Sequence, residues 1–182
     1  MRVLIPLADG VEELEAVTII DILRRGGIDV TTAALGEKQT VHGSRGVTLM
    51  ADALWSSLDL DTFDAITLPG GGKGTENLAA DDRIIEAVRA FDEEGKFVTA
   101  ICAAPTVLAK AGILNDRKAT CYPSCANQLG KAYDDVPVIA DGNIITSQGP
   151  GTAMLFALVL IKHFTGEEET VQRVAGGLLT KF

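Results

Sequence analysis

A cysteine, a cluster of glutamates and two glycine-rich turns are the residues whose types and spacing could do chemistry in this chain. Cys102 stands in Ala100-Ile101-Cys102-Ala103-Ala104-Pro105, after an apolar run of strand length and before a proline suited to the first position of a helix. A thiol at such a turn faces the unpaired N–H groups of a helix N-terminus, which favour the nucleophilic thiolate. Small Ala103 and Ala104 let the chain turn sharply and let a ligand approach those N–H groups. The plainer alternative is a buried cysteine acting as a small hydrophobe. Upstream, Glu12-Glu13-x-Glu15 opens a helical pattern. A solvated acidic turn that complements the helix dipole accounts for Glu12 and extends to Glu13. Glu15 differs, because it lies beside the apolar stripe. A carboxyl forced toward an apolar site has a raised pKa, and next to a thiolate it could donate a hydrogen bond and move protons.

The elements that must position these groups alternate between strand and helix. Val3 to Leu7 reads as a strand closed by Asp9-Gly10. Glu12 to Arg25 follows as a helix, with Leu14, Val17, Ile20 and Leu23 at helical spacing and Gly26-Gly27 at its end. Asp29 to Leu35 is a second strand, and Val41 to Met50 a short hairpin around Gly43 to Gly46. Ala65 to Leu68 runs into Pro69-Gly70-Gly71-Gly72, with a helix expected from about Asp81 to Glu94. Phe97 to Ile101 leads to Cys102 and a short helix from Pro105 to Gly112. A hairpin over Val136 to Ser147 turns at Asp141-Gly142, and an apolar helix follows Thr152. This alternation predicts an α/β fold with a mainly parallel sheet covered on both faces, in one domain over residues 1–182. Ligands of such sheets bind beyond the carboxyl ends of the strands. The strand ends here carry Asp9 to Glu15, Gly70 to Gly74, Cys102 to Pro105, and Ser147 to Gly151.

Several familiar chemistries fail on their spacing. A phosphate loop requires Ser or Thr directly after Gly-Lys, but Gly74 follows Lys73, and Thr67 fills the position of the leading glycine. Neither G-x-G-x-x-G nor the G-x-S-x-G elbow of serine hydrolases occurs. Cys121 and Cys125 lack histidines at zinc-finger spacing, so no metal is expected. They read as two core or loop thiols, or one of them resolves an oxidised Cys102. His42 and His163 read as structural or exposed. Arg24, Arg25 and Arg45 are either solvated charges or a small anion or interface patch. A net charge of −9 disfavours nucleic acid. The greasiest run, Ala153 to Ile161, has about half the ~20 residues of a membrane span. Met1-Arg2 leads directly into an apolar strand, so the chain is expected in the cytoplasm, where free thiols are at home.

These segments together resemble the ThiJ/PfpI superfamily, and within it the DJ-one and YajL-like branch, over essentially the whole chain. The resemblance rests on Gly10 to Val17, Asp21 to Gly27, Ser44-Arg45, Leu68 to Gly71, Ala100 to Pro105, and Thr146 to Thr152. It implies a flavodoxin-like three-layer sandwich, usually a homodimer, that works without a cofactor. Cys102 matches the family nucleophile, on a strained turn and easily oxidised to a sulfinic acid. Glu15 matches a protonated glutamate hydrogen-bonded to that sulfur. The N–H groups of Gly71 and Ala103, beside Gly70, match the oxyanion site, and Arg45 a position near the pocket and dimer interface. Two departures matter. Where some members place a histidine near the cysteine, this chain has Tyr122, so Glu15 must carry the proton transfers. Ala103 stands where protease-like members have histidine, which argues against a peptidase. The expected activity is that of a glyoxalase or deglycase on reactive carbonyls such as methylglyoxal, or on their adducts. The rival is a redox-sensing stress protein or chaperone built on the same Cys102.

Overall fold

Strand β1 (Arg2–Leu7) shows why this sequence folds around a two-sided sheet. Val3, Ile5 and Leu7 point into one apolar core and Leu4 into another, the period-2 alternation of a strand buried on both faces. In the computed structural model, which describes residues 1–180, β1 is followed by α1 (Glu13–Arg25), β2 (Asp29–Ala34), β3 (Thr40–His42), β4 (Thr48–Met50) and β5 (Ala53–Leu54). Then come β6 (Ala65–Leu68), α2 (Gly72–Ala80), α3 (Asp82–Glu93), β7 (Phe97–Ile101), α4 (Pro105–Ala111) and α5 (Ala126–Leu129). The hairpin β8 (Val138–Asp141) and β9 (Ile144–Ser147) leads to α6 (Ala153–Thr165) and α7 (Glu168–Gly177).

The central sheet has seven strands in the order β5-β2-β1-β6-β7-β9-β8. All neighbours are parallel except β8 and β9. One face is covered by α1, α6 and α7 through Ile19, Leu23, Phe156, Leu160 and Val171. The other is covered by α2, α3 and α4 through Leu78, Ile84, Val88, Phe91, Val107 and Leu108. This is the expected α/β sandwich. Parallel pairing of β6, β7 and β9 places Gly70, Cys102 and the segment after Ser147 at one edge of the sheet.

Three differences from the sequence reading have clear physical causes. On α1 the buried face is Glu15, Ala16, Ile19, Ile22 and Leu23, whereas Leu14 and Val17 are 51% and 48% exposed. The helix therefore has a second apolar face that points away from this chain's core. The stretch after Gly71, for which the sequence reading gives no element before the helix at about Asp81, is helix α2 despite Gly72 and Gly74. A Cβ at Gly74 would stand 2.7 Å from the Val11 nitrogen, so close packing on the 10–12 loop outweighs the helix cost of glycine, about 1 kcal/mol per residue. Helix α7 was not foreseen; Val171, Val174 and Ala175 bury its inner face.

Candidate active site

Cys102 lies just past the end of β7 with φ at +65°, a left-handed conformation that a non-glycine residue adopts at a cost. Two backbone bonds hold it there. Its N–H donates to Ser147 O at 3.0 Å, and its carbonyl accepts the Tyr122 N–H at 2.7 Å. Pro105 then starts α4 at its first turn. The turn expected from the sequence is present, and the sheet itself, through β9, fixes it.

Glu15 comes from the first turn of α1, which is tied to the glycine turn after β6 by a bond from Glu12 N–H to Gly70 O at 2.9 Å. Its side chain is fully buried. Oε2 accepts the Gly70 N–H at 2.9 Å, while Oε1 has no hydrogen-bond partner. Gly70 sits between the two groups. A Cβ there would stand 2.5 Å from Cys102 Cβ and 2.6 Å from Glu15 Oε2, so only glycine lets thiol and carboxyl share this space. Gly71 has φ +98°, and a Cβ on it would meet Gly10 O and Glu12 N. Gly70→Ala is accordingly expected to destabilise the protein by about 1–3 kcal/mol and to push Cys102 away from Glu15. Denaturant unfolding together with the alkylation rate of Cys102 checks this, and an unchanged rate would contradict it.

Burial pushes Glu15 up to about 7, against the Cys102 thiol and the Gly70 N–H, with a smaller upward push from the Glu12 charge. Burial also pushes the Cys102 thiol up to about 12, and neighbouring Glu15 adds to the rise. The N–H groups of Gly71 and Ala103 lie close enough to the sulfur to favour its anion, but they are outweighed. On this thiol, water exclusion and the nearby carboxylate act more strongly than the helix end that favours the thiolate. Between about 7 and about 12 the two groups hold one proton between them, and the pair titrates as a unit.

The remaining residues are placed as follows. Ser147 contributes its backbone carbonyl to Cys102, while its hydroxyl donates to Pro137 O at 2.9 Å and pairs with Thr152 Oγ1 at 2.6 Å. Tyr122 is half-exposed, and its ring lies over Gly149, where a Cβ would stand 3.2 Å from Cδ2. Arg45 is exposed; its guanidinium donates to Ser44 O at 3.4 Å, and among the described residues no hydrogen bond ties it to Cys102 or Glu15. Arg24 and Arg25 are paired with Asp52 and Asp21, so the three arginines do not form one free patch. Sequence reasoning missed the role of Glu13. Its nearly buried carboxylate accepts Arg45 N–H at 2.7 Å, Ser44 Oγ–H at 3.1 Å and Val47 N–H at 3.4 Å, fastening the β3–β4 hairpin to α1. Burial raises its pKa and these bonds more than offset the rise, leaving the carboxyl below its usual range. No local signal marks it, since the partner backbone is about 30 residues away in sequence. Two clefts, about 690 and 630 Å³, lie beside Arg117 and beside Asp9. Neither holds Cys102 or Glu15, and chemistry rather than size picks out the site.

A parallel sheet ending in a strained cysteine, a buried glutamate and paired glycines defines a class. Residues 1–163 match the DJ-1/PfpI family, and the chain belongs to that family. It is 42% identical over 98% of its length to protein dj-1beta of Drosophila melanogaster, covering 97% of that protein. It is 35% identical over 92% of its length to a Caenorhabditis elegans protein named glutathione-independent glyoxalase DJR-1.2, covering 90% of it. A solved structure of oxidized Toxoplasma gondii DJ-1 superposes with a TM-score of 0.95 at 37% identity, over 100% of this chain and 99% of that one.

Proposed function

We propose that this protein is a cysteine-dependent, cofactor-free enzyme of the glyoxalase or deglycase type, acting on small reactive carbonyls such as methylglyoxal or on their adducts. The observation that carries the reading is the buried Glu15 carboxyl, with one oxygen unpartnered, packed across Gly70 from Cys102. The relative named as a glyoxalase supports it. Above neutral pH Glu15 is the base: it takes the thiol proton as Sγ forms a bond to the aldehyde carbon and the C=O π pair moves to oxygen. The N–H groups of Gly71 and Ala103 stabilise that oxyanion. Glu15 returns its proton to this oxygen and removes the hydrogen from the same carbon to leave an enediolate. It delivers that proton to the neighbouring carbon, while the hydroxyl proton passes to that carbon's oxygen, so that the neighbour becomes the alcohol and the first carbon the thioester carbonyl. The resulting thioester is hydrolysed by water, releasing lactate and restoring the thiol. The sum is methylglyoxal plus water giving lactic acid. Deglycation would share the first addition.

The test is methylglyoxal loss and lactate formation by the purified protein without glutathione. Lactate appearing well above the buffer rate supports the enzyme. Its absence overturns the reading in favour of a redox sensor or stress chaperone. That second reading draws on the oxidized Toxoplasma relative and on Glu15 Oε1, which as a protonated acid could hydrogen-bond an oxygen added to the sulfur.

The outward apolar face of α1 supports a homodimer. Leu14 lines a groove with Met154 and Leu155, and all three are substantially exposed; a second copy of this chain is the occupant proposed here. No described helix is long and apolar enough to cross a membrane, and a cytoplasmic setting is proposed with the rest. A single charge at the centre of such a face disrupts it, so Leu14→Arg is expected to sediment as a monomer and the wild type as a dimer. A monomeric wild type would contradict the assignment.

A further inference from the structure

The cleft of about 690 Å³ beside Arg117 has a lining at odds with the charge of the whole chain. The protein carries 25 acidic side chains against 16 Lys and Arg, yet this cleft is bordered by Arg117, Lys118 and Lys131 against a single carboxylate, Asp116. Its floor is apolar, made by Leu114, Leu129 and Ala132 at the edge of the core on the α2–α4 side. The backbone places the cations deliberately close. Asp116 turns with φ +58°, and Arg117 N–H closes that turn on Leu114 O at 3.3 Å, which brings 117 and 118 round to the rim. Ala119 N–H then donates to Ala132 O at 2.8 Å, and Asp134 N–H to Ala119 O at 2.9 Å, a parallel bridge between Ala119 and Tyr133. Backbones paired in this way lie about 5 Å apart, so Lys118 and Lys131 stand on neighbouring stretches of chain and line the same space. Among the described residues neither ammonium has a carboxylate within ion-pair distance. Arg117 is committed, to Asn143 Oδ1 at 2.8 Å and Asp141 O at 3.1 Å, and acts as a fixed positive wall.

We infer that this cleft binds a phosphate monoester whose organic part is an apolar ring or chain, with the phosphate between Lys118 and Lys131 and the apolar part on Leu114, Leu129 and Ala132. Two like charges held side by side repel, and an anion between them removes the repulsion. A phosphate monoester carries close to two negative charges at neutral pH, matching the two unpaired ammoniums, and its oxygens accept from both. The Gln128 amide on the same rim supplies a further donor. The apolar floor favours a ligand that covers it over a bare ion, and the volume lies in the range of small-molecule sites. This site is separate from the carbonyl chemistry. Helix α4 leads from the Cys102 turn to Gly112 on the cleft, and its seven residues put about 10 Å of helix between the two.

The test is equilibrium dialysis of the full-length protein against three probes: 1-naphthyl phosphate, neutral 1-naphthol and inorganic phosphate. Naphthyl phosphate is expected to bind more tightly than either of the others, and its affinity to fall as salt is raised. The double variant Lys118→Ala, Lys131→Ala is expected to bind it on the order of tenfold more weakly, the combined effect of two partly exposed charge contacts. Both side chains are exposed and unpaired among the described residues, and far-UV circular dichroism of the variant should match the wild type. Cys102→Ser should bind the probe as the wild type does, which separates this site from the thiol. No binding of naphthyl phosphate at millimolar concentration would overturn the proposal, as would naphthol binding equally well. Inorganic phosphate binding as tightly as the ester would mean an adventitious ion only. Unchanged affinity in the double lysine variant, or affinity lost in Cys102→Ser, would place the probe elsewhere and overturn the proposal too.

Discussion

Glu15→Gln is expected to lower methylglyoxal turnover by about 10²–10⁴-fold, the usual contribution of a positioned acid–base group, while leaving the fold intact. Gln keeps the size of the side chain and an acceptor for the Gly70 N–H. It cannot take the thiol proton or carry one between carbons, and the segment that holds the Cys102 carbonyl presents Tyr122 rather than a histidine. The rate profile of the wild type should rise through about pH 7, as Glu15 becomes the base, and that limb should vanish in the variant. Turnover unchanged in Glu15→Gln would remove Glu15 from the mechanism.

The same substitution should make the protein more stable in alkali. The folded-state pKa of Glu15 is raised from 4.5 to about 7, so between these values the folded state binds more protons than the unfolded chain. Stability from this group is present below 4.5, falls as pH rises through 7, and is gone above it, a swing on the order of 3 kcal/mol. Cys102, raised from 9.0 to about 12, continues the fall at higher pH. Denaturation midpoints at pH 5 and pH 8 should therefore separate less in Glu15→Gln than in the wild type. Parallel pH dependence in the two proteins would contradict a buried, strained carboxyl.

What could be read from the residues, and what could not, follows the range of the interactions. Cys102 was legible because its strand, its two alanines and Pro105 are neighbours in the chain, and the strand–helix alternation is equally local. The direction of its titration was not, since that depends on Glu15, brought to it from 87 residues upstream by the parallel pairing of the sheet. Leu14 and Val17 were assigned inward because periodicity finds apolar faces without saying which one meets the chain's own core. Glu13 looked like any first-turn acid, and only the fold shows the hairpin it fastens. Helix α2 hid behind its glycines, whose place is set by the loop at Gly10 and Val11. That the Cys102 and Cys121 side chains pack in different cores is likewise a product of the fold and not of their spacing.

Every step of the proposed chemistry begins with a bond to one sulfur, and the most direct measurement is lactate formation from methylglyoxal by wild type and Cys102→Ser side by side, without glutathione. Serine fits the same turn, but its hydroxyl ionises far less readily than a thiol, and the neighbouring carboxyl is too weak a base to compensate. Wild-type turnover is predicted, with a loss of at least about 10³-fold in the variant. Equal turnover in the two proteins would contradict the account.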